Sequence, residues 1–189
     1  MRRAGQWLAA LAVFLAVGCA GVSTIGHGDQ VPAYGPSFVS YAARNGQLPL
    51  VVHGDPFGLP AAETARVLAA RLRLPGWFAD VPFAARSNDA TTRQDYRVVL
   101  IANPARALTA DEACGTLTDL PVAGRSAMLH LHASFCAPDG WLSMVQGRAP
   151  AERPDSHAMQ GLLDQLMATL LPARNRHHEP DGQREFGPR

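Results

Sequence analysis

The chain has 189 residues, with 17 Lys or Arg positions against 16 Asp or Glu positions, 7 histidines and a formal net charge of +1 at pH 7. That balance excludes a general electrostatic affinity for nucleic acid or anionic lipid, and the length sets one domain as the default, large enough to fold without a metal. Every basic side chain is Arg or His, with no Lys anywhere, which fits a GC-rich genome better than selection for bidentate phosphate binding.

Arg2 and Arg3 form a short basic region, residues 7–17 an uncharged apolar run, and Ala16-Val17-Gly18-Cys19 a small-residue cleavage site ending in Cys. The run is shorter than the ~20 apolar residues needed to cross a bilayer. Residues 1–18 resemble a bacterial lipoprotein signal peptide, with Ala16 where Leu is commonest and Leu15 one place further back. The resemblance implies diacylation of the Cys19 sulfur, cleavage before Cys19 and acylation of the new amino terminus. Two or three acyl chains make an essentially permanent anchor. Ala20, rather than Asp, after the cysteine implies the periplasmic leaflet of the outer membrane rather than the inner membrane. The other reading is an ordinary secretory signal that leaves Cys19 as a free thiol. Arg2-Arg3 is not followed by the rest of a twin-arginine pattern, so export is expected to be of an unfolded chain that carries no cofactor. Loss of Arg2 and Arg3 takes the formal charge from +1 to −1.

Residues 19–36, rich in Gly, Ser, Thr and Pro, predict a flexible tether to a single domain over 37–172. Residues 38–44 and 48–53 read as two strands around Asn45-Gly46, a pair that favours a tight hairpin turn. Residues 54–60 form a loop into a helix that starts near Pro60 and ends before Pro75, with Ala61, Ala65, Leu68 and Leu72 as its buried stripe. Trp77, Phe78 and Phe83 supply aromatic anchoring, and 87–95 is a polar loop. Residues 96–102 are a continuous apolar run stopped by Asn103-Pro104, the pattern of a central strand covered on both faces. Residues 109–114 predict a helical turn capped by Thr109, with Glu112 at the capping-box position.

Ala127, Leu129, Leu131, Ala133 and Phe135 alternate with Met128, His130, His132, Ser134 and Cys136, the period-two pattern of a long strand. Ala137-Pro138-Asp139-Gly140 predicts a turn, and 141–146 a strand that pairs back. The last helix starts near Asp155 or Ser156 and carries Met159, Leu162, Leu163, Leu166, Met167, Leu170 and Leu171 on one side. Pro172 stops it, and 173–189 is expected to be a disordered polar tail. The order of elements predicts an α+β two-layer sandwich: a mainly antiparallel sheet of about five strands with two helices on one face. In topology alone it resembles the small α/β domains of several envelope lipoproteins, a likeness resting on no diagnostic residue.

With Cys19 assigned to lipid, Cys114 and Cys136 remain in a compartment that permits disulfides, and a structural bridge between them is expected; two buried free thiols are the alternative. His130 and His132, two apart on a strand, project from one face and can supply two ligands to Zn or Cu. A third would have to come from His53, Asp55 or a reduced Cys136. The alternative is two histidines on a polar or partly packed sheet face. His177-His178 are expected to be solvated. Ser134 beside His130 or His132 lacks a nucleophile elbow and an oxyanion hole. The loop at 53–58 precedes a helix N-terminus suited to an anion, although Gly and Pro there also serve a tight connection. No phosphate loop, dinucleotide fingerprint, zinc ribbon or nucleic-acid motif is present. The expectation is a lipid-anchored periplasmic binding or accessory module with an envelope protein partner, no cofactor and no nucleic acid. The alternative is a metal-binding or hydrolytic protein using His130 and His132.

Overall fold

The computed structural model describes residues 23–178. The expected signal peptide, Cys19 and the span beyond 178 lie outside the described residues. The elements in chain order are β1 (Thr24–Ile25), β2 (Asp29–Gln30), α1 (Pro36–Ala42), β3 (Leu48–His53), α2 (Ala61–Arg71), β4 (Phe83–Arg86), α3 (Ala90–Arg93), β5 (Arg97–Ala102), α4 (Ala110–Cys114), β6 (Leu129–Ala137), β7 (Gly140–Ala149) and α5 (His157–Leu170), followed by a 3-10 turn at Arg176–His178. Among the described residues the architecture is mixed α+β around one open sheet of seven strands.

The sheet runs β1-β7-β6-β5-β3-β4, with β2 also paired to β7. It is built around β5, whose six residues Arg-Val-Val-Leu-Ile-Ala are all buried. Val98, Leu100 and Ala102 point into the larger core, with Leu68 of α2, Leu72 just after it and the leucines of α5. Val99 and Ile101 point the other way, into a smaller cluster with Ala113, Cys114 and Leu117. In β6 the odd positions Leu129, Leu131, Ala133 and Phe135 meet the larger core. Its even positions therefore face the α4 side.

The strand at Leu48–His53, the buried central strand, the 137–140 turn and the last helix fall where the sequence pattern puts them. Ser156 caps α5 by accepting the Met159 amide at 3.2 Å. Thr109 and Glu112 form the reciprocal capping box on α4. Cys114 and Cys136 are bonded, with their Cα atoms 5.5 Å apart, so the end of α4 is fastened to β6.

The span 38–44 is the body of α1 and the turn that follows it rather than a hairpin strand. Pro36 sits in the first turn of α1, and Val39 and Ala42 pack into the larger core at helical spacing. A short apolar run fits either period. Gly46 still takes a left-handed φ of 75°, but its turn joins a helix to β3. Within the span assigned to a tether, Thr24–Ile25 and Asp29–Gln30 pair antiparallel with β7. They cover part of the outer edge of that ten-residue strand, an edge that otherwise exposes unpaired backbone groups.

The beginning of the polar tail is also held. Asn175 Nδ2 lies 2.8–3.1 Å from the carbonyls of Val31, Pro32 and Tyr34, and the Tyr34 hydroxyl donates to Pro172 O at 2.8 Å. The span 87–95 contains α3, capped by Asp89 through the Thr92 amide at 2.7 Å. Phe83–Arg86 is an edge strand parallel to β3, which is itself parallel to β5, while the other four pairings are antiparallel, so the sheet is mainly antiparallel as expected, with a parallel part at its β4 end. Among the described residues there are five helices rather than two, and α4 covers the face opposite α2 and α5.

Arg97, 1 % exposed, pins the α4 side. Its guanidinium donates to Arg93 O at 3.0 Å and Asp95 O at 3.1 Å, and a further bond goes to Cys114 O. These carbonyls lie at the C-terminal ends of α3 and α4, where the helix dipole favours a cation.

Candidate functional site

The even face of β6 divides into a sealed part and an open part. His132 and Ser134 are fully buried, with His132 Nε2 and Ser134 Oγ 3.0 Å apart. Burial pushes the His132 pKa down to about 4, His130 adds to the shift and Glu112 on α4 opposes it. His132 Nδ1 is buried without a hydrogen-bond partner. A serine and histidine enclosed in this way have the contact of a nucleophile and base, but a substrate has no route to them.

The residues that would complete a metal site are engaged elsewhere. His53, Ile101 and His132 are successive cross-strand neighbours, so His53 and His132 share a row with Ile101 between them, their Cα atoms about 10 Å apart. His53 Nε2 donates to Leu120 O at 2.8 Å. Cys136 is held in the disulfide. Asp55 Oδ1 accepts the amides of Leu59 at 2.9 Å and Phe57 at 3.1 Å, and the Thr64 hydroxyl at 3.4 Å. Among the described residues no three His, Cys, Asp or Glu side chains converge.

Those contacts also close the loop at 53–58 as an anion site, because its own carboxylate occupies the donors before α2. Burial would raise the Asp55 pKa, but the amides of Leu59, Phe57 and Gly58 together with Thr64 bring it below its ordinary value. Gly54 has φ 90°, and a Cβ there would lie 2.7 Å from Ala102 O, so glycine is needed for the close approach of the loop to β5. His177 Nε2 bonds to Gln30 O at 2.8 Å, so that tail histidine is tied to β2.

The open part surrounds His130. Its ring is half-buried, and its pKa is lowered first by burial and then by the neighbouring Arg148 guanidinium, against a hydrogen bond that the ring donates to the Gln146 side chain. His130 is paired with Arg148, and Arg148 in turn with Thr24. These residues, with Gly26 and Gln146, line a shallow dish of about 290 Å³. No Asp or Glu lines it. Among the described residues the ion pairs are Arg66–Glu63, Arg106–Glu112 and Arg153–Asp155, and none involves Arg148. The dish is missed by sequence reasoning because one wall, Thr24 to Gly26, falls in the span that reads as tether. The period-two pattern alone places Arg148, Gln146, His130 and His132 on one side of the hairpin, and that was the available signal.

A larger concavity of about 710 Å³ lies between the end of α1 and the β4 edge, lined by residues of both signs including Arg44, Arg86, Asp89 and Asp95. Arg44 there sits 4.1 Å from the Tyr41 ring centroid and donates to Tyr41 O at 3.0 Å.

No family model matches the chain, and no curated protein matches it. Solved structures similar to it include two PelC assemblies. One is the PelC dodecamer from Paraburkholderia phytofirmans, with 15% identity over 82% of this chain and 100% of that chain and a TM-score of 0.41. The other is a point-variant PelC dodecamer from the same organism, with 16% identity over 81% of this chain and 100% of that chain and a TM-score of 0.38. At these values the likeness assigns neither an activity nor an assembly to this chain.

Proposed function

We propose that this chain is a lipid-anchored periplasmic envelope protein, acylated at Cys19 on the outer-membrane side, that acts as a binding or accessory module for another envelope component. The observation that supports this reading is the Ala16-Val17-Gly18-Cys19 motif placed only five residues before Thr24, the first residue of the sheet. Five Cα-to-Cα steps reach at most about 18 Å. A domain held on so short a leader stays against its membrane and meets partners that lie in or on that surface. The accessible part of the sheet face presents hydrogen-bond donors rather than an assembled nucleophile or metal cage, which favours binding over catalysis.

The test is the intact mass of the full-length protein isolated from bacterial envelopes, combined with crosslinking in the same membranes. The expected result is a mature chain starting at Cys19 that carries acyl groups, lost in Cys19→Ala, and one reproducible crosslinked envelope protein. A mature chain without acyl groups, or crosslinking that recovers no specific partner, would overturn the reading.

A further inference from the structure

We propose that the dish of Arg148, His130, Gln146 and Thr24 receives the phosphate of a phospholipid headgroup from the leaflet that holds the Cys19 acyl chains. The inference rests on the lipid-anchor reading and adds a second, non-covalent contact between domain and membrane.

Charge is the first ground. Arg148 is exposed and has no carboxylate partner among the described residues, and His130 lies beside it on the neighbouring strand. With no acid lining the dish, the Arg148 guanidinium has no counter-ion there, and His130, Gln146 and the Thr24 hydroxyl add donors at the same mouth. A guanidinium matches two phosphate oxygens at once through its planar fork, and an amide and a hydroxyl can donate to a third. The nearest acid along this strand pair is Asp29, opposite Met144, four residues and about 13 Å along β7 from Arg148.

Position is the second ground. Thr24 is itself part of the wall, so covalent geometry keeps the dish within about 18 Å of Cys19. A ligand for such a dish is abundant at the headgroup layer. The formal charge, +1 for the full chain and −1 once Arg2 and Arg3 are lost, gives no bulk attraction to anionic lipid. Recognition is therefore local, and it depends on Arg148. The volume of about 290 Å³ fits a phosphate with a short part of its ester and not a whole lipid.

The experiment uses acylated full-length protein in neutral detergent, titrated separately with dihexanoyl phosphatidylglycerol, inorganic phosphate and dihexanoylglycerol, while the His130 ring protons are followed by NMR across pH. The phosphate-bearing lipid should shift the His130 signals and raise its titration point by about one unit, because a neighbouring anion favours the imidazolium. Dihexanoylglycerol should leave both unchanged. Arg148→Gln should weaken the lipid's apparent affinity at least tenfold, and Arg148→Lys should recover part of it, with the melting temperature of each variant confirming that it folds. The proposal is overturned if the lipid leaves His130 unmoved, if inorganic phosphate binds and the lipid does not, or if folded Arg148→Gln binds as well as the parent. Intact mass of the same sample reads acylation independently. Acylated protein that ignores the lipid sinks this inference alone, and unacylated protein sinks the anchoring reading and with it the membrane source of the headgroup.

Discussion

Asn103 and His130 hold each other by two hydrogen bonds: the Asn103 amide donates to His130 O at 2.7 Å, and the His130 amide donates to Asn103 Oδ1 at 2.9 Å. The same side chain donates through Nδ2 to Gly124 O at 2.8 Å, and the residue sits in the left-handed region with φ 48°. The exit of β5, the start of β6 and the 120s loop therefore meet at one buried amide. Asn103→Ala should cost about 2–4 kcal/mol, because it strands the His130 amide and puts a methyl in an unfavourable backbone region. Asn103→Gly removes the same bonds without the backbone penalty and should be about 1 kcal/mol less damaging. Urea unfolding of the two variants measures the difference, and equal losses would show that the conformation at 103 carries no strain.

The bridge between Cys114 and Cys136 closes a separation of 22 residues. In the chain-entropy account its loss costs about 3 kcal/mol. Thiol labelling of denatured, unreduced protein should leave both cysteines unmodified, and replacing both by Ser should lower the urea midpoint to match. Full labelling would contradict the bridge directly.

Acid should weaken the fold in a defined window. His132 is held neutral in the folded state at a pKa of about 4 against 6.5 for a free histidine. Its neutral form is the one the fold accommodates, so its contribution is fully present above pH 6.5 and is lost as pH falls toward 4, amounting to about 3 kcal/mol. His130 is lowered as well and adds in the same sense, whereas Glu112, facing from α4 and depressed to about 2, loses its contribution only in more acid solution. Stability curves between pH 7 and pH 4 should be visibly flatter for His132→Asn than for the parent chain. Parallel curves would mean that another group sets the acid response.

Gly147 lies where β1, β7 and α5 close on one another. A Cβ at this position would stand 2.6 Å from Ile25 Cδ1 and 2.7 Å from Leu162 Cδ1. Gly147→Val should therefore push β1 off the sheet edge and cost about 1–3 kcal/mol through overpacking. Limited proteolysis should show faster cleavage around residues 23–30, while the hairpin of β6 and β7 stays protected. Unchanged cleavage would mean that the two flexible side chains simply turn aside.

Elements with a sustained period were legible in the sequence. The leucine stripe of α5 and the alternation of β6 each bury a face that only one geometry can bury, β5 was marked by its β-branched run and the Asn103-Pro104 stop, and the Thr109–Glu112 pair carries its own capping chemistry. What escaped had no period to read. Strands of two residues, such as Thr24–Ile25 and Asp29–Gln30, exist only because β7 offers an edge, and nothing local to residues 24–30 encodes that. The stretch before Asn45-Gly46 was too short to separate helix from strand, and Pro36 was the one clue that favoured the helix. For the site, the sequence placed His130 and His132 on one face but could not say that α4 and the disulfide bury the second and leave the first open. Thr24 became part of the site only through its pairing with Arg148, a contact between residues far apart in the chain.

The Asn175 contacts have a dynamic consequence. Since the carbonyls of Val31, Pro32 and Tyr34 converge on the two N–H groups of one side-chain amide that follows α5, the strap through β2 cannot peel from the sheet while that amide stays seated. The strap and the segment after α5 should therefore open as a single cooperative unit, with their slow amides exchanging at a common free energy below that of the β5–β6 core.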